Sequence, residues 1–425
     1  MVNAPARPTS KSPRPVAAGA KATASFRQRI RDISDRFWPR LEGKNSSRNS
    51  SYYLILGASL ALTCIGLMMV FSASAVEQLS KDTSPFTLGI KQTVFAIVGF
   101  IAMLVLARFP AKWFKVLAWP GLAVSFVLLV LVLFIGHDAG GNKNWIVVSE
   151  SFSFQPSEIT KLMLILWMAS VLSKKEPLLG QLRHLMIPVV PVAAVVVVLV
   201  LLEKDLGTSV IVMAIAAAAL YFAGAPGKLF AGAALLGGIA ALALALTSDN
   251  RLGRLTAWMG CGDANYNDVY GLCDQARNGM YALASGGWWG VGLGQGRQKW
   301  NWIPEAHNDF IFAIIGEEFG LLGTIVLILL YAVLAIAIFR VIVRHNDLFV
   351  RIVCGSVMTW ILGQAFVNIA MVTGLLPVIG VPLPLVSYGG TSLTISLVAI
   401  GVVLSFARNL PDKAPKTKKR NTVTS

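Results

Sequence analysis

Charge is scarce in this sequence: Asp, Glu, Lys and Arg together make up 14% of its 425 residues, and only 21 of these side chains are acidic. Cysteine and histidine are rarer still, with four of each. Cys64 and Cys354 lie inside apolar stretches with no His or acidic residue at the spacing of metal ligands, so no zinc-binding pattern is present. What remains is a chain dominated by long hydrophobic runs.

These hydrophobic runs are long enough to cross a membrane. Hydrophobic residues make up 55% of the chain, and the charges gather between the runs instead of following amphipathic faces. A helix needs about 20 apolar residues to span the hydrocarbon core of a bilayer. The pattern therefore predicts an all-α polytopic membrane protein with about ten spans, placed near residues 53–76, 88–107, 116–136, 157–173, 185–202, 206–222, 229–247, 310–339, 352–374 and 389–407.

Basic residues predict the orientation. They crowd both ends of the chain, and cytoplasmic segments of membrane proteins carry an excess of Lys and Arg, so both termini are expected in the cytoplasm. Residues 1–50 are expected to form a disordered basic tail, followed by a transmembrane domain over 51–408 and a second basic tail over 409–425. The net charge of +16 is explained by this topology and by attraction of the tails to anionic lipid, without nucleic acid as a partner.

Two loops are expected on the extracytoplasmic side, at about 137–156 and, between spans seven and eight, at about 248–307. The longer loop is too rich in Trp, Tyr and Gly to be disordered, so it is expected to fold over the membrane surface. It contains Cys261 and Cys273 on the oxidising side, and we predict a disulfide between them. Its glycine-rich segment 290–296 is not a dinucleotide-binding fingerprint, because no βαβ unit surrounds it, and a turn is the preferred interpretation.

An acidic motif marks the point where the longer loop re-enters the membrane. Glu305 and Asp309, four residues apart after Pro304, share one face of a helical turn. Such a pair can supply a metal ligand and a general base, the latter worth roughly 10²- to 10⁴-fold in rate. Alternatively, both acids only stabilise the positive end of the helix dipole. The pattern does not decide between these interpretations.

Further polar residues interrupt apolar segments on the same predicted side. Ionisable residues inside a bilayer are usually paired and mark functional sites. For Glu317 and Glu318, deep in the eighth span, we favour a role in a structural network. Ser157 is the expected N-cap of the fourth span. The Pro- and Gly-rich backbone at 377–391 is expected to line a cavity. Expected partners of the two glutamates are Lys91, Lys161, Gln364 and Asn368, and the other candidate site residues are Lys143, Trp145, Gln155, Glu158, Asp205 and Thr208.

Four separated blocks resemble one family of membrane proteins. They are Phe154-Gln155-Pro156-Ser157-Glu158, Asp205-Leu206-Gly207-Thr208-Ser209, Pro304-Glu305-Ala306-His307-Asn308-Asp309-Phe310-Ile311-Phe312-Ala313 and Pro382-Leu383-Pro384-Leu385-Val386-Ser387-Tyr388-Gly389-Gly390. In this order, over residues 53–407, the chain resembles the SEDS proteins (shape, elongation, division and sporulation), the polytopic glycosyltransferases of bacterial cell walls. The Glu-Ala-His form of the third block favours the division branch of that family, whereas Val381-Pro382-Leu383-Pro384 favours the elongation branch. Of the two, we predict the division branch.

The resemblance implies a reaction. Members of the family polymerise lipid II into β-1,4-linked glycan at the outer face of the bacterial cytoplasmic membrane, here at the division septum. Asp309 matches the family's essential acid, which deprotonates the acceptor hydroxyl, and a divalent cation, Mg²⁺ or Mn²⁺, held by Asp309 and Glu305 would neutralise the pyrophosphate. Implied partners are lipid II, the lipid-linked glycan chain, a class B penicillin-binding transpeptidase and other division proteins. The implied substrate-binding residues are Lys143, Trp145, Gln155, Ser157, Glu158, Asp205, Thr208, Lys299, Glu305, His307 and Ser387.

The sequence departs from the family pattern at three positions. Asn144 stands where many relatives have Arg, Lys204 where many have Pro, and Asn301 where many have Glu. With Asn144 in place of Arg, contact with phosphate in the first loop falls to Lys143.

Two other functions stay open. A transporter that flips lipid-linked precursors would also contain broken helices and intramembrane acids, but its site should lie near the bilayer midplane. A non-catalytic scaffold that recruits division proteins would tolerate the loss of Asp309.

Overall fold

The fold is a bundle of long helices with one small sheet. The computed structural model describes residues 50–80, 82–139, 142–149, 152–232, 237, 258–260, 272–300, 303 and 306–408. The strands are β1 (His137–Ala139), β2 (Asn142–Ser149) and β3 (Phe152–Phe154). The main helices are α1 (Ser50–Ser80), α2 (Thr87–Leu106), α3 (Ala111–Ile135), α4 (Pro156–Lys174), α5 (Leu182–Met186), α6 (Val189–Leu202), α7 (Leu206–Phe222), α8 (Leu272–Gly286), α9 (Ile311–Arg344), α10 (Leu348–Val372) and α11 (Gly390–Arg408).

The predicted membrane-spanning character is confirmed at the level of helices. Among the described residues, seven helical stretches are long and apolar enough to cross a bilayer, namely α1, α2, α3, α5 with α6, α9, α10 and α11. In the part of the chain that the structure describes, nine of the ten predicted windows coincide with helices. Most of the remaining window, 229–247, lies outside the described residues, as do both predicted tails. The count of ten spans and the orientation of the termini therefore stay predictions.

Helix α4 lies at the centre of the bundle. It packs against α3, α7 and α10, and nearly all of its side chains from Pro156 to Leu172 are buried. A helix that is buried on all sides presents no stripe to lipid, so α4 can contain Glu158 and Lys161 without exposing either charge to the bilayer. Around this centre α2 packs on α11 and α1 packs on α9.

The start of α4 differs from the prediction. Pro156 occupies the first helical position, and Gln155 is the N-cap without a side-chain hydrogen bond. Ser157 lies inside the helix and is fully buried. Ser157 is therefore not the N-cap, because a proline suits the first turn of a helix and places the helix start before the serine.

The loop between α3 and α4 contains a small sheet that the sequence analysis did not predict. The three strands pair antiparallel in the order β1, β2, β3, with His137 opposite Trp145 and Ile146 opposite Phe154. Trp, Ile and Val are frequent in strands because they pack well on a pleated surface. The sheet places Asn144 and Trp145 beside the start of α4.

Helix α9 is broken at Gly320, whose backbone (φ 67°, ψ −165°) is not helical. The glycine-rich loop packs into this break, where the N–H of Val291 donates to the carbonyl oxygen of Glu317 at 2.9 Å. A Cβ atom on Gly290 would lie 2.2 Å from the carbonyl oxygen of Glu318, so this close approach requires glycine. The glycine-rich loop is thus a turn whose backbone is hydrogen-bonded to α9.

Candidate active site

A cavity of about 630 Å³ is lined by residues of α2, α8 and the small sheet and by four further parts of the chain. These are the start of α4, the turn before α7, the segment before α9 and the segment between α10 and α11. The four sequence blocks are far apart along the chain, and the bundle brings residues from each of them to this cavity. Among the residues that line it are Lys91, Asn144, Trp145, Gln155, Glu158, Lys161, Asp205, Thr208, Asp309, Gln364, Gly380 and Tyr388.

Asp309 lies at the end of the segment that leads into α9 and is partly exposed. A Cβ atom on Gly380, which has a φ of 68°, would lie 3.5 Å from Asp309 Oδ2, so the carboxylate lies beside the wall formed by residues 378–382. Asn368 Nδ2 donates to the backbone carbonyl of Asp309 and to that of Val381, each at 2.7 Å. Asn368 therefore holds the Asp309 segment against the opposite wall.

The carboxylate of Asp205 is occupied by its neighbours. Its Oδ2 accepts hydrogen bonds from Asn144 Nδ2 at 2.9 Å, Gln155 Nε2 at 3.0 Å and Thr208 Oγ1 at 2.9 Å. Its Oδ1 accepts the backbone N–H of Thr208 at 2.8 Å and so caps α7. An ionised carboxylate has about four acceptor positions, so Asp205 ties β2, α4 and α7 together and has little capacity left for a ligand.

Glu158 and Lys161 form a buried ion pair on α4. Lys161 Nζ lies 2.9 Å from the Glu158 carboxylate, and the two side chains are 1% and 4% exposed, respectively. Lys161 also lies 3.4 Å from Gln364 Oε1 and 4.7 Å from the ring centre of Trp360. Gln364 in turn donates to the carbonyl of Pro382 at 2.9 Å. The pair therefore connects the centre of the bundle to the cavity wall.

We expect Lys161→Met to destabilise the fold by about 3 to 5 kcal/mol, because the substitution leaves Glu158 as a buried charge without its counterion. The double variant Glu158→Gln/Lys161→Met should recover much of this loss, since it removes the orphaned charge as well. Thermal unfolding in detergent measures both changes. Equal unfolding temperatures for the single and the double variant would contradict this expectation.

Lys143 does not line this cavity, and its predicted contact with phosphate stays a prediction. Its Nζ donates to the carbonyls of Leu133 and Phe134, at 3.0 and 3.3 Å, in the last turn of α3. A lysine at a helix C-terminus satisfies carbonyls that have no partner within the helix. Ser157 is buried inside α4 and likewise does not line the cavity. The predicted role of both residues in substrate binding stays a prediction.

Lys299 is held in a buried ion pair away from the cavity. Its Nζ lies 2.8 Å from Glu318 Oε1 and 2.9 Å from Ser72 Oγ. Glu317 accepts the backbone N–H of Arg297 at 2.7 Å. The two glutamates thus form the structural network that was predicted, although with partners other than those expected. Lys299 belongs to this network, and its predicted role in substrate binding stays a prediction.

His307 and Ser387 contact the segments next to the cavity wall. His307 Nδ1 lies 3.1 Å from Glu77 Oε2, and its ring packs edge-on against Tyr388, which lines the cavity. Ser387 Oγ accepts the backbone N–H of Leu383 at 2.7 Å. Neither side chain lines the cavity, and the predicted role of both in substrate binding stays a prediction.

In each of two predicted residue pairs, the structure describes only one of the two residues. Glu305 lies outside the described residues, so its pairing with Asp309 at a metal ion stays a prediction. Within the described ranges, no group of three or more His, Cys, Asp or Glu side chains could hold a metal ion. Cys273 is disulfide-bonded, whereas Cys64 and Cys354 are free. Cys261 lies outside the described residues, so its pairing with Cys273 also stays a prediction.

The sequence analysis missed two residues that belong to the site or its support. Lys91 was considered only as a partner of the buried glutamates, but it lines the cavity. Glu77, near the end of α1, orients His307. Each is a charged residue at the edge of an apolar span, as Asp309 is, but other charged residues at span ends share this feature and it does not single out these two.

Proteins of one family are similar to this chain in sequence. The family model described as "cell cycle protein", which covers FtsW, RodA and SpoVE, matches residues 52–411. A protein of Mycobacterium tuberculosis named probable peptidoglycan glycosyltransferase FtsW is 40% identical over 365 residues, which cover 85% of this chain and 69% of that protein.

Two solved structures are similar in fold as well. A chain of a peptidoglycan synthase complex that coordinates polymerization and crosslinking matches with a TM-score of 0.69 at 25% identity, covering 83% of this chain and 96% of its own. RodA, the rod shape determining protein of Thermus thermophilus, matches with a TM-score of 0.62 at 25% identity, covering 84% of this chain and 97% of its own. The chain therefore belongs to the FtsW/RodA/SpoVE family, the SEDS family that its four sequence blocks resemble.

Proposed function

We propose that this protein is a septal peptidoglycan glycosyltransferase that polymerises lipid II into β-1,4-linked glycan at the outer face of the cytoplasmic membrane. The main observation is that Asp309 lies in a cavity built from all four family blocks. The relative from Mycobacterium tuberculosis is named for this activity and for the division branch of the family.

Asp309 acts as the general base. It accepts the proton of the acceptor sugar hydroxyl while that oxygen attacks the anomeric carbon of the donor. The bond between this carbon and the pyrophosphate oxygen breaks, and the leaving prenyl pyrophosphate takes the electron pair. One displacement converts an α-linked pyrophosphate into a β-glycoside, so a single base is sufficient. Asn368 positions Asp309 through its hydrogen bond to the backbone carbonyl.

Asp309, with Glu305 as the second proposed ligand, would hold a divalent cation, Mg²⁺ or Mn²⁺. When bound, this cation neutralises charge on the pyrophosphate. Mg²⁺ keeps several water ligands and is commonly held by one or two carboxylates together with substrate phosphates. A partly exposed carboxylate beside a polar cavity fits that mode of binding.

The setting of the reaction is part of the proposal. We place ten spans in the bacterial cytoplasmic membrane at the division septum, with both termini in the cytoplasm. The partner is a class B penicillin-binding transpeptidase, acting with other division proteins. The solved complex that resembles this chain combines polymerization with crosslinking, which supports a transpeptidase as the partner.

The position of the cavity favours an enzyme over a transporter. It lies at the starts of α4, α7 and α9, hence at one end of the bundle. A transporter site is expected near the bilayer midplane, between repeated halves.

Polymerisation of lipid II by the purified protein tests this function. We expect glycan product in the presence of Mg²⁺ or Mn²⁺, more of it when the cognate class B partner is added, and β-1,4 linkages throughout. The absence of product under all of these conditions, with movement of lipid II across liposome membranes, would establish a transporter instead. The absence of both activities, with binding of division proteins retained, would establish a scaffold.

A further inference from the structure

Lys91 is a cation that the reaction described above does not use. It lies on α2, one turn after the helix begins at Thr87, and it lines the cavity that contains Asp309. Its side chain is half-buried. Within the ranges that the structure describes, its ammonium group makes neither a hydrogen bond nor an ion pair. An ammonium group in such a position is available to an anionic ligand.

The two other lysines discussed above already have an ion-pair or hydrogen-bond partner. Lys161 lies 2.9 Å from the carboxylate of Glu158. Lys143 Nζ is bonded to backbone carbonyls at the end of α3. Of the lysines that line the cavity in the described part of the chain, Lys91 is thus the one whose charge is not neutralised by an acid.

The lipid-linked substrate carries a diphosphate, whose negative charges need cationic donors when they leave water. Hydrogen bonds from a lysine ammonium to phosphate oxygens are charge-assisted, and lysine binds phosphate as a compact point charge. The carboxylate of Asp309 repels the diphosphate, because both are negatively charged. We propose that Lys91 binds the diphosphate of the lipid-linked substrate. This inference rests on the proposed function and names the residue that recognises the leaving group.

The surface of α2 changes from polar to apolar next to Lys91. Phe95, one turn further along, lines the cavity and stacks on Phe152 with ring centres 6.0 Å apart. Val94 and Val98, on the outer side of the same helix, are 55% and 51% exposed. A diphosphate joined to a prenyl chain changes from charged to apolar in the same way. This order of side chains fits a lipid-linked diphosphate better than a soluble phosphate.

Hydrogen bonds of the neighbouring residue hold Lys91 at a defined distance from the opposite wall. Gln92 Nε2 donates to the carbonyl of Ser387 at 3.1 Å, and Gln92 Oε1 accepts the N–H of Gly389 at 3.2 Å. Residue 388, between these two contacts, packs against His307, two residues before Asp309. The start of α2 is therefore connected through a few contacts to the segment that contains the base.

Steady-state kinetics of Lys91→Gln and Lys91→Arg test the proposal. Loss of a charge-assisted hydrogen bond to phosphate should raise KM for lipid II by about 10- to 100-fold and lower kcat much less. Lys91→Arg should restore most of the affinity. Lys204→Gln is the matched control, because Lys204 is exposed in the turn before α7 and does not line the cavity; its KM should equal that of the wild type. An unchanged KM in a folded Lys91→Gln protein would overturn the proposal.

Competition experiments identify the chemical group that Lys91 binds. Geranylgeranyl diphosphate should inhibit the wild type and should inhibit Lys91→Gln about tenfold more weakly, whereas geranylgeraniol should act equally on both. An effect of the substitution that depended on phosphatidylglycerol in the vesicles, and not on the diphosphate, would assign Lys91 to a phospholipid and overturn the proposal.

A direct binding measurement with geranylgeranyl diphosphate separates this inference from the proposed function. If the wild type makes no glycan but its affinity for the diphosphate depends on Lys91, the proposed function fails and the diphosphate site stands. If the wild type makes glycan and Lys91→Gln binds the diphosphate as tightly as the wild type, the diphosphate site fails and the proposed function stands.

Discussion

Asp309→Asn is expected to lower the rate of glycan formation by about 10²- to 10⁴-fold, the range that a general base contributes. An amide has almost the shape of a carboxylate but cannot accept the proton of the acceptor hydroxyl. The hydrogen bond from Asn368 goes to the backbone carbonyl of Asp309, so the substitution leaves this contact in place. The measurement is the initial rate of lipid II polymerisation by the protein with its cognate transpeptidase and Mg²⁺ or Mn²⁺.

Two controls make the loss of activity interpretable. Thermal unfolding should show that Asp309→Asn is as stable as the wild type. Asp274→Asn removes an exposed carboxylate on α8 and should retain the wild-type rate. A folded Asp309→Asn protein that polymerises lipid II at the wild-type rate would show that Asp309 is not the base.

The Glu203→Gln variant is expected to be more stable than the wild type, by a margin that grows between about pH 5 and pH 8. Glu203 lies in the turn between α6 and α7 and is fully buried. Both of its carboxyl oxygens are without a hydrogen-bond partner among the described residues. Burial, reinforced by the nearby charge of Asp205, raises the pKa of Glu203 from 4.5 to about 8.

The direction of the pH dependence follows from proton binding. Below pH 4.5 the carboxyl group is protonated in both the folded and the unfolded chain, and its contribution is neutral. As the pH rises, the unfolded chain releases the proton first, so the folded state loses relative stability until the pH passes the folded-state pKa of about 8. The full shift corresponds to roughly 5 kcal/mol. Glutamine resembles the protonated form and cannot titrate, so the variant avoids this loss.

Intrinsic tryptophan fluorescence during thermal unfolding in detergent, at about pH 5 and about pH 8, measures this difference in stability. The unfolding temperatures of Glu203→Gln and the wild type should be close near pH 5 and well separated near pH 8. Asp274→Asn, which alters an exposed carboxylate, should show no such divergence. Equal differences at both pH values would mean that Glu203 does not titrate between them.

The helices were predictable because their signal is local. Runs of apolar residues coincide with α1 to α4, α6, α7 and α9 to α11, since each run must satisfy its own backbone hydrogen bonds in a bilayer. The sheet at 137–154 was not predicted, because short strands in a loop depend on pairing across a turn. The start of α4 was misplaced because a proline at its first position outweighed Ser157 as a cap.

The roles of individual charges were harder to predict. Lys143 and Lys299 have the charge that a phosphate site needs, yet one satisfies helix carbonyls and the other pairs with Glu318. Lys91 lacked any local mark that separates it from other basic residues at span ends. Long side chains reach several ångströms from their backbone, so their partners depend on which helices become neighbours.

The sequence by itself determined that this protein is a bundle of apolar helices long enough to span a membrane, that it resembles the SEDS family, and that Asp309 comes directly before a long apolar segment. Only the tertiary structure decided which polar residues form hydrogen bonds or ion pairs with one another and which line the cavity. The physical reason is that hydrophobicity is a property of each segment, whereas a buried charge is stabilised by groups from distant segments that only folding brings within hydrogen-bond distance.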